Sequence, residues 1–151
     1  QAKNACEQQK VTPALEHVIE ANTLLSGLGF ESGGLAAAHA IHNGLTVLPE
    51  THRYWHGEKV TFGTLAMLML TDRDPELIKT VYEFCLELGL PTTLEDIGLK
   101  DVSDEDLLKA AEASCQAGET MHNEPFEVTP ANVLAAMRAA DAEGRRLKAK
   151  R

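Results

Sequence analysis

The feature that most constrains the fold is a segment from Gly33 to Leu48 that is apolar on nearly every side. A helix of this kind has no polar face to present to water, so it belongs in the middle of a domain with other elements packed around it. Pro49 ends it, because the residue before a proline disfavours the helical conformation, and Asn43-Gly44 is expected to loosen its last turn. The sequence thus predicts a central, buried helix.

Helix start and stop signals recur along the rest of the chain, and no stretch shows the sustained alternation of a strand. Capping residues and prolines mark the starts, and glycines mark the ends. The predicted segments are a helix from Thr12-Pro13 to Gly27, a helix from His56 or Gly57, a helix from Asp74-Pro75 to Gly89, a short turn from Thr92-Thr93 to Gly98, a helix from Ser103 to about Gly118, and a helix from Thr129-Pro130. The expected fold class is all-α, a single bundle-like domain of about six to seven helices over residues 1–151.

Apolar side chains recur at helical spacing within these segments and predict which faces are buried. The clearest stripe follows Asp74-Pro75 and consists of Leu77, Val81, Phe84, Cys85 and Leu88. The other predicted inward sets are Leu15, Val18, Ile19 and Leu25, then Val60, Leu65, Leu68 and Met69, and finally Val133, Met137 and Ala140.

The charge balance excludes two classes of partner. With 14 Lys and Arg against 23 Asp and Glu, the net charge is -9 and the pI is near 5.1. Nucleic acid and anionic membrane surfaces would repel such a protein. The apolar run from Leu65 to Leu70 is also far shorter than the ~20 residues of a membrane span. We expect no nucleic-acid partner and no membrane contact.

Cysteine usage bears on the compartment. Cys6, Cys85 and Cys115 are odd in number and lack the Cys-x-x-Cys spacing, which argues against a disulfide framework and against a zinc ribbon. Free thiols are typical of a reducing compartment, so the cytoplasm is the expected location. Because Cys85 and Cys115 fall on apolar helix faces, we expect them to act as small hydrophobic residues rather than as metal ligands.

Two histidines are the strongest candidates for chemistry. His39 lies within the predicted central helix, and His56 follows seventeen residues later at a predicted helix start. A helix N-terminus disfavours imidazole protonation, and neutral imidazoles are the commonest protein ligands of zinc. A catalytic zinc site needs three protein ligands and an open position, so this pair is one ligand short.

The rest of the site stays open. His42 lies three residues after His39 on the same helix face, so the two could bind a metal together with other ligands, or both could be hydrogen-bonded core histidines. The spacing selects none of four possible carboxylate ligands, Glu31, Glu50, Glu58 and Asp72.

The glycine-dense segment from Gly27 to Gly34 has the wrong spacing for a dinucleotide-binding loop, and no strand precedes it. Phe30 within it could form the apolar wall of a pocket or pack in the core. His52 is expected to be solvated in a loop, whereas His122 lies in a polar loop where a role near a cofactor stays open.

Several motifs carry a resemblance to a known family. The matching segments run from Gly29 to Thr46, from His56 to Val60, from Thr12 to Glu16 and from Gly118 to Asn123. They resemble the glycerol dehydrogenases of the iron-containing, or group III, alcohol dehydrogenase family over essentially the whole chain. The chain looks like the C-terminal helical domain of that fold, without the N-terminal α/β domain that binds NAD.

The resemblance implies the composition of the site. His39 and His56 would be two of three protein ligands to zinc, and the third, an aspartate, would come from the segment preceding Gln1. His39 and Phe30 would contact the substrate, with Phe30 near the nicotinamide. In more distant members of the family the second histidine of the motif comes four residues after the first, whereas His42 comes three after His39. The resemblance therefore leaves the role of His42 open.

The implied reaction is the reversible, NAD-dependent oxidation of glycerol or a related vicinal diol, with zinc lowering the pKa of the alcohol. We expect the 151 residues alone to be inactive, and the whole enzyme, with its nucleotide-binding domain, to form a homo-oligomer. An alternative hypothesis is a freestanding helical module that binds a metal or a partner without catalysis, which the lack of a nucleotide-binding loop favours.

Overall fold

The computed structural model describes all 151 residues, and its regular structure is entirely helical. The α-helices are α1 (Ala2–Glu7), α2 (Pro13–Glu20), α3 (Ser26–Gly33), α4 (Ala37–Leu45), α5 (His56–Leu70), α6 (Pro75–Leu88), α7 (Asp104–Ser114) and α8 (Pro130–Lys148). A π-helical stretch, Ala21–Leu25, joins α2 to α3 without a break, so seven separate helices result. Short 3-10 helices occupy Pro49–Thr51, Glu95–Ile97 and Thr120–Asn123. The predicted all-α class is confirmed.

The chain divides into two compact units, residues 1–34 and 35–151. In the first unit the helix predicted to end at Gly27 continues to Gly33, so that prediction is wrong. Gly27 and Gly29 keep a helical backbone, and the first glycine with a positive φ is Gly34, at 76°. A glycine ends a helix only where it leaves the helical conformation.

The inward stripe predicted for this helix is also wrong for three of its four residues. Val18, Ile19 and Leu25 are 43%, 52% and 55% exposed. Further exposed apolar side chains follow on the same helix at Leu24, Leu28 and Phe30.

In the second unit α4 is the central element, as predicted, although it is shorter than the apolar run. It packs against α5 and α7, and α8 in turn packs against α5 and α7. The residues of α4 that face these neighbours are fully or almost fully buried, namely Ala37, Ala40, Ile41, Gly44 and Leu45. The predicted inward residues Leu65, Leu68, Val133, Met137 and Ala140 are buried as well.

Side-chain caps start four helices where the sequence predicts them. The residues whose side chains accept backbone N–H groups there are Thr12, Asp74, Ser103 and Thr129. Gly89, at φ 72°, ends α6 as predicted, but α7 ends at Ser114 rather than near Gly118. None of these helices is long and apolar enough to cross a bilayer.

The stripe predicted for α6 is buried only in part. Leu77, Phe84 and Leu88 are 46%, 53% and 45% exposed, whereas Tyr82, outside the predicted stripe, is fully buried. Part of the apolar surface of α6 is therefore exposed, although the helix packs against α5 and α8.

Candidate metal centre

Two packed helices bring His39 and His56 together. His39 is the third residue of α4, and His56 is the first residue of α5. The 3-10 helix Pro49–Thr51 lies in the connection that lets α5 return along α4. The two ring centroids are 5.5 Å apart, with an angle of 44° between the ring planes. Two side chains that are seventeen residues apart in the sequence thus lie next to each other in the fold.

A third imidazole belongs to the same cluster. His42 lies one helical turn after His39, and its ring centroid is 4.4 Å from that of His56 in an edge-on arrangement. Nε2 of His42 is 3.1 Å from Nδ1 of His56, which is a hydrogen-bond distance. We use the term histidine cluster for His39, His42 and His56.

The electrostatic environment favours neutral rings. Burial, and then the neighbouring His56, lowers the pKa of His39 below its ordinary value. Burial is also the main cause that lowers the pKa of His42; a hydrogen bond with Asn43 works in the opposite direction, and His56 and the buried Lys59 add to the lowering. Neutral imidazoles keep a lone pair that a metal ion can accept.

The cluster continues into further polar side chains. Nδ1 of His42 is 2.9 Å from Oδ1 of Asn43, and Nδ2 of Asn43 donates to Oε2 of Glu119 at 2.9 Å. Glu119 directly precedes the 3-10 helix Thr120–Asn123. Sequence reasoning singled out neither Asn43 nor Glu119 as a functional residue.

The segment 119–124 also forms hydrogen bonds with the backbone at the start of α4. The Ala37 N–H donates to Oε1 of Glu124 at 3.0 Å, and the Thr120 hydroxyl donates to the carbonyl of Ala36 at 3.0 Å. Because α4 has no side-chain cap from its own N-terminus, these contacts satisfy backbone groups at the end that carries His39. They join residues more than 80 positions apart.

The other histidine candidates lie outside the cluster. Nε2 of His52 is 2.8 Å from the carbonyl of Thr46, and Nε2 of His122 is 3.1 Å from the carbonyl of Gln116. Both side chains are exposed, and each contacts a backbone carbonyl six residues earlier in the chain.

None of the proposed carboxylates in the second unit completes a site. Glu58 accepts the Trp55 N–H at 2.7 Å and so caps α5. Asp72 lies beyond the far end of α5, and that end is roughly 20 Å from His56 at about 1.5 Å per residue. Glu50 is exposed in the 3-10 helix. No group of three or more His, Cys, Asp or Glu side chains in the chain is arranged to hold a metal ion.

The two candidate site residues in the first unit, Phe30 and Glu31, are exposed. Phe30 is 57% exposed, which is inconsistent with the alternative that it packs in the core. Glu31 is exposed as well.

The donor chemistry of the histidine cluster suits zinc, because neutral imidazole is a favoured zinc ligand. Thiolate ligands are disfavoured, since burial raises the pKa of both Cys85 and Cys115. A cleft of about 370 Å³ elsewhere in the second unit, between Leu48 and Asp101, includes no histidine in its lining.

Comparison with solved structures identifies the class of protein. A glycerol dehydrogenase from Schizosaccharomyces pombe superposes with a TM-score of 0.89 and is 41% identical, over 99% of this chain and 39% of that one. A probable glycerol dehydrogenase from Sinorhizobium meliloti 1021 gives a TM-score of 0.86 at 51% identity, over 95% of this chain and 41% of that one. The chain therefore has the fold of part of these two solved structures. No family model matches the chain.

Three curated relatives have higher sequence identity with the chain. Glycerol dehydrogenase from Thermotoga maritima is 64% identical over 147 residues, and that from Citrobacter freundii is 54% identical over 143 residues. A glycolaldehyde reductase from Halobacterium salinarum is 54% identical over 147 residues. These matches cover 95–97% of this chain but only 39–40% of the relatives, in their C-terminal portion. The chain therefore matches the C-terminal portion of glycerol dehydrogenases and spans about two fifths of the length of the relatives that it matches.

Proposed function

We propose that this chain is the metal-bearing portion of an NAD-dependent glycerol dehydrogenase in which His39 and His56 hold a catalytic zinc ion. The observation that carries the proposal is the approach of these two rings, from different helices, to 5.5 Å between centroids. The 64% identity with the Thermotoga maritima glycerol dehydrogenase supports glycerol, or a related vicinal diol, as the substrate.

On this proposal the chain's own residues would bind the metal ion and orient the substrate. His39 and His56 would hold the metal through unprotonated ring nitrogens, from helices whose packing fixes their separation. Phe30, with its exposed ring, would provide an apolar wall for the substrate and the nicotinamide. When bound, zinc supplies Lewis-acid polarisation of the substrate hydroxyl and NAD supplies the hydride acceptor.

The remaining parts of the enzyme would come from outside these 151 residues. They include a third zinc ligand, an aspartate, and an α/β domain that binds NAD. On this proposal the chain alone binds zinc weakly and does not reduce NAD, and the whole enzyme is a homo-oligomer. The free thiols Cys6, Cys85 and Cys115 support a reducing compartment such as the cytoplasm.

The experiment replaces the matching portion of the Thermotoga maritima glycerol dehydrogenase with this chain and measures glycerol-dependent reduction of NAD together with bound zinc. We expect the chimera to be active, and His39→Ala and His56→Ala to lose bound zinc and activity together. His52→Ala is the matched control, because that ring lies within hydrogen-bond distance of the carbonyl of Thr46 and outside the histidine cluster.

Two outcomes would reject the proposal. If His39→Ala or His56→Ala keeps zinc and activity, the ligand assignment is wrong. If the chimera is inactive while the 151 residues alone bind zinc tightly and stoichiometrically, a freestanding metal-binding module is the better explanation.

A further inference from the structure

An imidazole ligand binds a metal only through a ring nitrogen that carries no proton. The hydrogen bond made by one nitrogen determines which nitrogen that is. In the histidine cluster, Nδ1 of His56 faces His42 at 3.1 Å. Whether Nδ1 of His56 carries the proton therefore depends on whether Nε2 of His42 can accept a hydrogen bond from it.

His42 is one member of a continuous series of hydrogen bonds that we call the orienting chain. It runs from Glu119 through Asn43 and His42 to His56, with separations of 2.9, 2.9 and 3.1 Å. Asn43 and His42 belong to α4, His56 starts α5, and Glu119 lies beside the 3-10 helix Thr120–Asn123. Three separate elements therefore contribute to one network.

The direction of each hydrogen bond in the orienting chain follows from Glu119, the carboxylate at one end of it. A carboxylate only accepts, so the nitrogen of the Asn43 amide donates to Glu119 and the amide oxygen faces His42. An amide oxygen also only accepts, so Nδ1 of His42 must carry a proton. At pH 8, above the ordinary imidazole pKa of about 6.5, the ring is neutral and its Nε2 has only a lone pair. That lone pair accepts the proton on Nδ1 of His56.

We propose that Glu119, Asn43 and His42 are positioning residues that hold His56 as the Nδ1-protonated tautomer and leave its Nε2 free for the metal. The link to zinc rests on the proposed function, whereas the tautomer is a property of the metal-free chain. Metal-ligating histidines generally donate their other ring N–H to an outer partner, which fixes both the tautomer and the ring orientation. Here that partner is a second histidine, itself fixed by an amide and a carboxylate.

The first test is two-bond proton–nitrogen NMR of the metal-free, 15N-labelled chain at pH 8, which identifies the protonated nitrogen of each imidazole. We expect Nδ1–H for both His42 and His56. Asn43→Leu removes the acceptor for His42, and Glu119→Gln lets the Asn43 amide take either orientation. Both variants should therefore raise the fraction of Nε2–H at His56.

The matched control is Glu112→Gln, which removes one carboxylate from an exposed position on α7. It should leave the tautomers unchanged, and circular dichroism checks that all three variants retain their helicity. An Nε2–H tautomer at His56 in the unmodified chain overturns the proposal. So does a folded Asn43→Leu variant with the original tautomer.

The second test measures zinc affinity of the same proteins by competition with a chromophoric chelator. We expect Asn43→Leu to weaken zinc binding by about tenfold or more, as is typical for the loss of an outer partner of a ligand. A shifted tautomer with unchanged zinc affinity overturns the positioning role. If the 151-residue protein has the expected His56 tautomer but neither it nor the dehydrogenase chimera binds zinc, the tautomer assignment is supported and the proposed metal function is rejected.

Discussion

Gly63 of α5 lies directly against the backbone carbonyl of Ala38 in α4, with no room for a side chain between them. Ala38 immediately precedes His39, and Gly63 lies about two helical turns after His56. The contact between the two backbones therefore sets the distance across which the two imidazoles meet. On another side of α4, Gly44 is packed equally closely against the backbone of α7.

Gly63→Ala should therefore disturb both stability and the site. A Cβ at this position would collide with the Ala38 carbonyl, which is backbone and cannot rotate away. We expect the free energy of unfolding to fall by about 1–3 kcal/mol, the usual cost of overpacking, and zinc affinity to fall as the helices separate.

Gly57→Ala is the control within the same helix, because a Cβ there meets no atom within 4 Å. It should leave stability unchanged or raise it by up to about 1 kcal/mol through helix propensity. Urea unfolding and zinc titration compare the two variants. Equal effects at the two glycines would contradict the role assigned to the Gly63 contact.

Zinc should stabilise the chain only through the histidine cluster. A ligand that binds the folded state alone adds about 2.7 kcal/mol at a concentration one hundred times its Kd. We expect zinc to raise the melting temperature of the unmodified chain and of His52→Ala, but not of His39→Ala or His56→Ala. A zinc-dependent shift that survives in both of the last two variants would place the binding site elsewhere.

The two tyrosines offer a matched comparison. The Tyr82 hydroxyl donates to the carbonyl of Ala140 at 2.8 Å and ties α6 to α8 in the core, where burial raises its pKa. The Tyr54 hydroxyl accepts from Arg53 near the surface. Tyr82→Phe should lower the free energy of unfolding by about 1 kcal/mol, the net value of a typical hydrogen bond.

Tyr54→Phe, by contrast, should stay within about 0.5 kcal/mol of the unmodified chain. Urea unfolding at neutral pH measures both variants. Indistinguishable midpoints for the two would mean that the Tyr82 hydrogen bond contributes nothing net to stability.

Helix starts could be predicted from the sequence because their signals are local. Each confirmed cap accepts a backbone N–H from within three residues, as Ser103 does from Asp106. Helix ends depend on more than residue type. Among the glycines of the first unit, Gly27 and Gly29 stay helical and only Gly34 adopts a positive φ, so residue type alone does not tell which glycine ends the helix.

Buried faces could be predicted only in part. Periodicity identified the apolar side of α6, but it does not show how much of that side meets a neighbour. The core contact of α6 passes through Tyr82, while Phe84 stays 53% exposed. The same holds for Ile19 in the first unit, which is 52% exposed although it lies on an apolar stripe.

Within the candidate site, residue type and the family resemblance were enough to single out His39 and His56. The outer partners could not be found in this way. Asn43 and Glu119 are 76 residues apart, and no periodic pattern relates them. Their pairing follows from the packing of the loop after α7 near the end of α4, which is tertiary structure.

Asp96 connects the 3-10 helix Glu95–Ile97 to the end of α8. Its carboxylate accepts the Thr92 N–H at 2.9 Å and the Lys148 ammonium at 2.5 Å. Partial burial acts to raise the pKa of Asp96, but the hydrogen bonds from Lys148, Thr92 and Thr93 outweigh it, so the pKa lies below its ordinary value.

A depressed pKa fixes the sign of the pH dependence. Asp96 contributes stability above the unfolded pKa of about 3.9, and this contribution is lost as the pH falls through the lower folded pKa. Asp96→Asn keeps an oxygen for the backbone N–H groups but removes the charge. It should therefore lower the free energy of unfolding by about 1 kcal/mol at pH 7, and this difference should shrink below pH ~4.

Urea unfolding at pH 7, at pH 5 and near pH 3 measures that difference, provided the chain remains folded at the lowest value. Asp101→Asn is the control, because it removes the same charge from an exposed position nearby and should have little effect at any of these pH values. A stability difference for Asp96→Asn that stays constant down to pH 3 would show that the carboxylate is not held ionised by Lys148, and that the attachment of α8 depends on other contacts.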